Sequence, residues 1–210
     1  MRNLRLALTK GRLEKDMTAL LRKAGADTEA LEKPGRRLLL PVPALGLEVV
    51  LAKAPDVVTY VEHGVCDLGV AGKDTILEQG RSFFEMLDLG FGRCRFALAV
   101  REGEDFWDTV KPRRIATKYP HVARQFFASR GMDCEIIRIE GSVELAPLLG
   151  LADAIVDIVE TGATLRANGL VPIEDITDVS ARLICNVAAM KTRKTEMTEL
   201  IDRLKEAVRG

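Results

Sequence analysis

The sequence has no apolar run approaching the roughly 20 residues that a membrane helix requires, so no membrane association is expected. Residues Met1 to Arg12 carry Arg2, Arg5 and Lys10 through a short apolar stretch, without a continuous apolar segment or a small-residue cleavage site, so no secretion signal is expected. Cys66, Cys94, Cys134 and Cys185 are too widely spaced for a CxxC metal or redox motif, and His63 and His121 lie near none of them. Reduced, buried thiols and a cytoplasmic location are the expectation. Charge of one sign is also lacking: Lys plus Arg and Asp plus Glu both number 31. That balance leaves no global field to collect nucleic acid or an anionic membrane, and any polyanion must be met by local clusters. With only 8 prolines and no low-complexity stretch, the chain is not a disordered one.

What is present is ordinary globular sequence, 47% hydrophobic over 210 residues, enough for one large or two small domains. Leu4, Leu6 and Leu8 alternate as in a strand, and Leu13, Met17, Leu20, Leu21 and Ala24 recur at helical spacing up to Gly25. Strands are expected at Arg37 to Leu40 and Leu47 to Ala52, around a turn on Pro41, Pro43 and Gly46, and a helix from Pro55 to Gly64. Asp67 to Gly72 reads as a buried strand leading into a helix from about Thr75. A second series follows: Phe96 to Val100, Arg114 to Thr117, a helix after Pro120, Cys134 to Ile139, and a short helix capped by Ser142 and interrupted by Pro147. Ala154 to Val159 then forms a nearly continuous apolar strand, Arg182 to Met190 another, and the chain closes on an amphipathic helix. The alternation predicts an α/β architecture with parallel sheets. A weak echo between Asp67–Gly72 with Thr75 and Asp153–Gly162 with Thr164 predicts two lobes, residues 1–95 plus 179–210 and residues 96–178, with the ligand cleft between them.

Glu160-Thr161-Gly162-Ala163-Thr164-Leu165 places a glycine and two hydroxyls where a strand turns into a helix, an arrangement that favours phosphate. Asp157 interrupts the preceding strand near its mouth, and a carboxylate there can accept hydrogen bonds from sugar hydroxyls. A sugar phosphate satisfies both. A Thr-capped helix explains the loop alone about as well; a buried Asp157 with Glu160 beside it tilts the reading toward a ligand, because unpaired buried carboxylates are costly. No Walker loop is present. A second cluster is basic: Lys10 and Arg12 at the first strand-to-helix turn, Arg36 before a strand and Lys53 after one. Such cations suit a departing diphosphate; taken singly each is better explained by solvated surface charge, and their shared placement at element ends is the stronger argument. Lys73, Asp74, Lys118, Tyr119 and Ser142 also sit at strand exits, where Tyr119 can stack on a purine.

The chain as a whole resembles the short form of the ATP phosphoribosyltransferase catalytic subunit. The likeness rests on Leu8-Thr-Lys-Gly-Arg-Leu13, Thr59-Tyr-Val-Glu-His-Gly64, Asp67-Leu-Gly-Val-Ala-Gly-Lys-Asp74, Ala116-Thr-Lys-Tyr-Pro120, Gly141-Ser-Val-Glu144, Asp153 to Leu165 and Ala167-Asn-Gly-Leu170. It implies the first step of histidine biosynthesis, attack of adenine N1 of ATP on the anomeric carbon of phosphoribosyl pyrophosphate, with Mg²⁺ held mainly through substrate phosphates. It implies a two-lobed fold like type II periplasmic binding proteins. The loop Glu160 to Leu165 (with Thr161, Gly162, Ala163 and Thr164) would hold the 5′-phosphate, Asp157 and Asp153 the ribose hydroxyls, and Lys10, Arg12, Arg36 and Lys53 the diphosphate. Lys73, Asp74, Lys118, Tyr119 and Ser142 remain the candidates for ATP. The sequence departs from the family pattern at Lys53, usually Arg, and at Val58, usually Pro. It ends at Gly210, which leaves no room for the long form's regulatory domain. The resemblance therefore implies a homodimer that joins a regulatory subunit resembling histidyl-tRNA synthetase in a hetero-oligomer. Two rival readings are an intracellular sensor of the same fold without catalysis and a phosphoribosyltransferase for another base.

Overall fold

The computed structural model describes residues 2–80, 83–107 and 111–210. Strand β1 (Leu4–Thr9) buries Leu4, Leu6, Ala7 and Leu8, as a strand covered on both faces must. The chain turns at Gly11, whose φ of 98° suits glycine, into α1 (Arg12–Lys23); there the Glu14 carboxylate accepts the Gly11 N–H at 3.0 Å. A short α2 (Glu29–Glu32) precedes β2 (Leu39–Val42), β3 (Leu47–Ala52), α3 (Ala54–Glu62), β4 (Leu68–Gly72), α4 (Lys73–Gln79) and β5 (Phe84–Asp88). Next come β6 (Cys94–Arg101), β7 (Arg113–Thr117), α5 (Pro120–Ser129), β8 (Cys134–Arg138), α6 (Leu145–Leu148), β9 (Ala154–Val159), α7 (Ala163–Ala167) and β10 (Leu170–Val179). The chain closes with β11 (Ala181–Cys185), α8 (Val187–Thr192) and α9 (Lys194–Arg209).

Several elements differ from the sequence reading. Pro41 lies inside β2 rather than in the turn; β2 is an edge strand, where a missing N–H costs no ladder bond, and the turn is the 3₁₀ segment Pro43–Leu45 closed by Gly46. Ser142 caps nothing with its side chain: α6 begins after Glu144, and Pro147 sits in its first turn instead of interrupting it. The expected strand Arg182 to Met190 stops at Cys185, because Asn186 Oδ1 accepts the Ala189 N–H at 2.9 Å and starts α8.

The chain divides into two compact units, Met1–Gly92 with Ser180–Gly210, and Arg93–Val179. The first holds a sheet in the order β2-β3-β1-β4-β11-β5, the second a sheet in the order β10-β6-β9-β7-β8. Both sheets are mixed, not purely parallel: β1 runs parallel to β3 and β4, and β7 parallel to β8 and β9, while β11 and β6 pair antiparallel to β4 and β9. Five strands thus repeat one plan, β3-β1-β4-β11-β5 matching β8-β7-β9-β6-β10. In the first unit β1, β3 and β4 pack against α1 and α9 on one face, around Leu6, Leu8, Met17, Leu21 and Leu204, and Val57, Val58 and Val61 of α3 cover the other. In the second unit Phe96, Phe106, Phe126 and Phe127 are buried together with Tyr119.

The echo noted in the sequence is a repeated set of contacts. Asp67 donates its N–H to Arg5 O at 2.9 Å and accepts the Arg5 N–H on Oδ2 at 2.8 Å; Asp153 donates to Arg114 O and accepts the Arg114 N–H, both at 2.8 Å. Further along in each unit a threonine ties the far ends together, bonding the carbonyl three residues after the aspartate: Thr9 Oγ1 donates to Val70 O at 2.9 Å and Thr117 Oγ1 to Val156 O at 2.6 Å. Asp67 has the larger task. Its carboxylate, 3% exposed, also accepts a fork from Arg2 at 2.7 and 3.0 Å and a longer contact from Arg193 at 3.4 Å.

Removing these clamps should destabilise unequally. Asp67→Ala is expected to cost about 2–4 kcal/mol, since it leaves a strand N–H unpaired and removes the Arg2 fork and the Arg193 contact from a buried position, and Asp153→Ala about 1 kcal/mol; urea unfolding measures both. Burial also pushes the thiols of Cys66 and Cys185 up to about 11, with Asp67 adding to the rise in each. Unfolded thiols release their protons at lower pH, so this contribution to stability is complete below about pH 9 and lost between about pH 9 and pH 11. The urea midpoint is expected to fall across that window, and less so in the Cys66→Ala, Cys185→Ala double variant.

Candidate active site

In the second unit the parallel strands β8, β7 and β9 end on one edge, and the segments that follow them carry candidate residues noted in the sequence. Ile139 donates its N–H to Thr117 O at 3.0 Å, so the segment leading to Ser142 leaves beside Lys118. Thr117 Oγ1 bonds β9 at Val156, one residue before Asp157. Lys118, Ser142, Glu160, Thr161 and Thr164 are all exposed at this edge. Asp157 is half-buried, not buried as the sequence suggested, and its Oδ1 accepts the Ile158 N–H at 2.8 Å. Its exposure means a partner ligand is not needed to offset a desolvated charge, so the argument for a sugar rests on its place beside the loop.

The loop itself is tightly built. Gly162 is buried with φ 71°, in the left-handed region where a side chain is strained, and it begins α7. The Thr161 hydroxyl accepts the Ala163 N–H at 3.3 Å, a weak contact that a phosphate oxygen can replace. Two side chains of α7 and the residue after it fold back onto loop carbonyls: Arg166 Nη2 donates to Thr161 O at 3.0 Å, and Asn168 Nδ2 to Thr164 O at 2.9 Å. The sequence reading did not single out Arg166. Helical spacing was the available signal, since Arg166 follows Gly162 by four residues and so returns over it.

In the first unit the basic residues lie at the ends of neighbouring elements. Lys10 donates its N–H to Ala52 O at 3.0 Å, so it lies beside Lys53. The antiparallel register of β2 and β3 brings Leu38 O to the Leu51 N–H at 3.0 Å, carrying Arg36 toward the same edge, and Arg12 opens α1 one residue after Gly11. All four are exposed. Among the described residues the side chains of Lys10, Arg36 and Lys53 make no ion pair, in contrast to Lys73, which pairs with Glu85. Asp74 lies against the Cα of Gly72, where any side chain would meet its carboxylate.

Two candidates stand apart from this arrangement. Asp153 sits at the opening end of β9, about 13 Å along the strand from Asp157, with its carboxylate on Arg114; it serves strand pairing and does not reach the loop. Tyr119 is not a platform for a purine: it is 7% exposed, and its ring meets Phe96 edge-on at 4.9 Å. Both were misplaced because the sequence shows that a residue follows or precedes a strand but not which way its side chain turns. For metal, no group of three or more His, Cys, Asp or Glu among the described residues can hold an ion, whereas single carboxylates such as Asp157 suit Mg²⁺ already carried by phosphates. None of the helices described is long and apolar enough to cross a membrane.

The chain is similar to known proteins. The profile of the family described as ATP phosphoribosyltransferase matches residues 53–206. The ATP phosphoribosyltransferase of Clostridium kluyveri is 53% identical over 203 residues, 97% of this chain and 93% of its own. That of Clostridium botulinum is 50% identical over 211 residues, covering the whole of both. A chain of the ATP phosphoribosyl transferase (HisG:HisZ) complex from Thermotoga maritima superimposes with a TM-score of 0.85 at 34% identity, over 98% of this chain and 97% of that one. The periplasmic aliphatic sulphonate binding protein SsuA from Escherichia coli gives 0.61 at 13% identity, over 99% and 73%, which shows a common fold alone. The family profile begins at Lys53, but the full-length relatives extend the likeness over the basic residues before it, and the chain belongs to the ATP phosphoribosyltransferase family.

Proposed function

We propose that the chain transfers the phosphoribosyl group of phosphoribosyl pyrophosphate to ATP, the first step of histidine biosynthesis, with its two basic and phosphate-binding edges dividing the work. The observation that carries this reading is the loop Glu160–Leu165 at the mouth of β9, beside Asp157, in a chain similar over its full length to ATP phosphoribosyltransferases. The bond from the anomeric carbon to the diphosphate oxygen breaks, the electron pair leaves with diphosphate, and adenine N1 supplies the pair for the new bond. N1 has its lone pair ready, so no strong general base is needed, and alignment and charge stabilisation dominate.

The amides of Gly162 to Leu165 and the hydroxyls of Thr161 and Thr164 take the 5′-phosphate, and Asp157 orients the ribose hydroxyls. Lys10, Arg12, Arg36 and Lys53 face the diphosphate, whose charge grows as its bond breaks. Lys53 stands where the family usually has Arg, so its contact is a point charge, not a fork. Lys73, Asp74, Lys118 and Ser142 remain candidates for contacts to ATP. The family uses a divalent metal ion; Mg²⁺ held through substrate phosphates supplies further neutralisation of the leaving group when bound. The similarity to a chain of the Thermotoga HisG:HisZ complex supports assembly with a second kind of subunit; we take that subunit to be a regulatory one resembling histidyl-tRNA synthetase, joined by a homodimer of this chain in the cytoplasm.

The direct test mixes the purified chain with ATP, Mg²⁺ and phosphoribosyl pyrophosphate, with and without the regulatory subunit, and follows pyrophosphate release. Ligand binding without release in either case would make the chain a sensor and not a transferase. Arg36→Ala is expected to lower turnover by about 10²–10³, the scale of losing one pre-aligned charge-stabilising donor; near-normal turnover removes Arg36 from the mechanism. The double variant Thr161→Val, Thr164→Val should raise KM for phosphoribosyl pyrophosphate and leave KM for ATP nearly unchanged, read from initial rates.

A further inference from the structure

We infer that Arg166 is a positioning residue of the phosphoribosyl-binding loop: it braces the loop backbone and sets a fixed positive charge beside the amides that take the 5′-phosphate. This rests on the loop reading above. The exposed guanidinium folds back onto the loop. Its Nη2 donates to Thr161 O at 3.0 Å, and its Nη1 lies so near Gly162 that a Cβ there would be 3.0 Å from it. The helical bond from Arg166 N–H to Gly162 O, 3.1 Å, fixes the side chain one turn above that glycine. Gly162 is required by its positive φ, and an added Cβ would also press on the guanidinium.

The chemistry of a phosphate site gives this contact a purpose. A carbonyl turned toward a bound phosphate repels it, whereas a carbonyl held by a guanidinium keeps its lone pairs engaged elsewhere. Arg166 and Asn168 hold the carbonyls of Thr161 and Thr164 in this way, leaving the N–H groups and hydroxyls of the same loop for the anion. A planar fork can hold one carbonyl and still present further donors along the loop, which an ammonium on a flexible stem does less well. Because the side chain is exposed, water and salt screen its charge, and its contribution to binding is moderate.

The test compares Arg166→Gln and Arg166→Lys with the parent under whichever condition above releases pyrophosphate. KM for both substrates, kcat, the melting temperature and inhibition by ribose 5-phosphate are measured. Arg166→Gln is expected to raise KM for phosphoribosyl pyrophosphate and the inhibition constant of ribose 5-phosphate together, about five- to tenfold, with KM for ATP, kcat and melting nearly unchanged. Arg166→Lys should fall between, having kept the charge and lost the fork. An unchanged KM for phosphoribosyl pyrophosphate in Arg166→Gln overturns the inference, as does an equal rise for both substrates with a lowered melting temperature. If the Thr161, Thr164 double variant raises that KM and Arg166→Gln does not, only the role of Arg166 falls. If neither raises it, the loop itself is not the phosphoribosyl site.

Discussion

A carboxylate almost wholly withdrawn from water holds the first unit together. Asp67 is buried at the start of β4, where an isolated charge would cost several kcal/mol, yet every direction around it supplies a donor: the fork of Arg2, the N–H of Arg5 and the guanidinium of Arg193. Those donors come from the N-terminal end of β1 and from the turn between α8 and α9, and Arg193 also reaches the carbonyls of Arg2 and Asn3. The order of β1 and β4 in the sheet, and the seating of α9 over them, both depend on this residue. Its counterpart Asp153 performs only the inner part of the task, because the second unit has no returning segment to anchor.

From these clamps the site follows by geometry. Fixing the opening ends of paired strands fixes where they finish, and Thr9 and Thr117 lock the finishing ends in turn. Lys10 and Lys118 are each the residue after that threonine. The backbone positions of these candidate residues are thus set by strand register, which hydrogen bonds of 2.6 to 3.0 Å determine several residues away.

How much of this was legible follows from which signals are local. The strand Ala154–Val159 and its loop were plain in the sequence, since apolar continuity, a glycine and two threonines are adjacent there. Strand β10 was missed because two irregularities in its pairing with β6, at Pro172/Glu174 and Asp175/Thr177, break the alternation that marks a strand. Strand β5 was missed because it is a sheet edge with Phe84 and Glu85 exposed, so its sequence carries little apolar pattern. Tyr119 and Asp153 were placed on the right elements but at the wrong surface or end. Side-chain direction depends on partners far off in sequence, Phe96 for one and Arg114 for the other. The placing of Lys10, Arg36 and Lys53 was readable only as a shared habit of lying at element ends; the register of β1 and β3 turned that habit into proximity for Lys10 and Lys53.

The placement of β11 also sets an order of events at the ribosome. β11 lies between β4 and β5, although it is made after the whole second unit. The second unit is one continuous stretch and can close as soon as it emerges, whereas β5 has no sheet neighbour until β11 arrives some ninety residues later. The first-made part of the chain is therefore the last to be finished, with an apolar strand edge on β4 open for that interval.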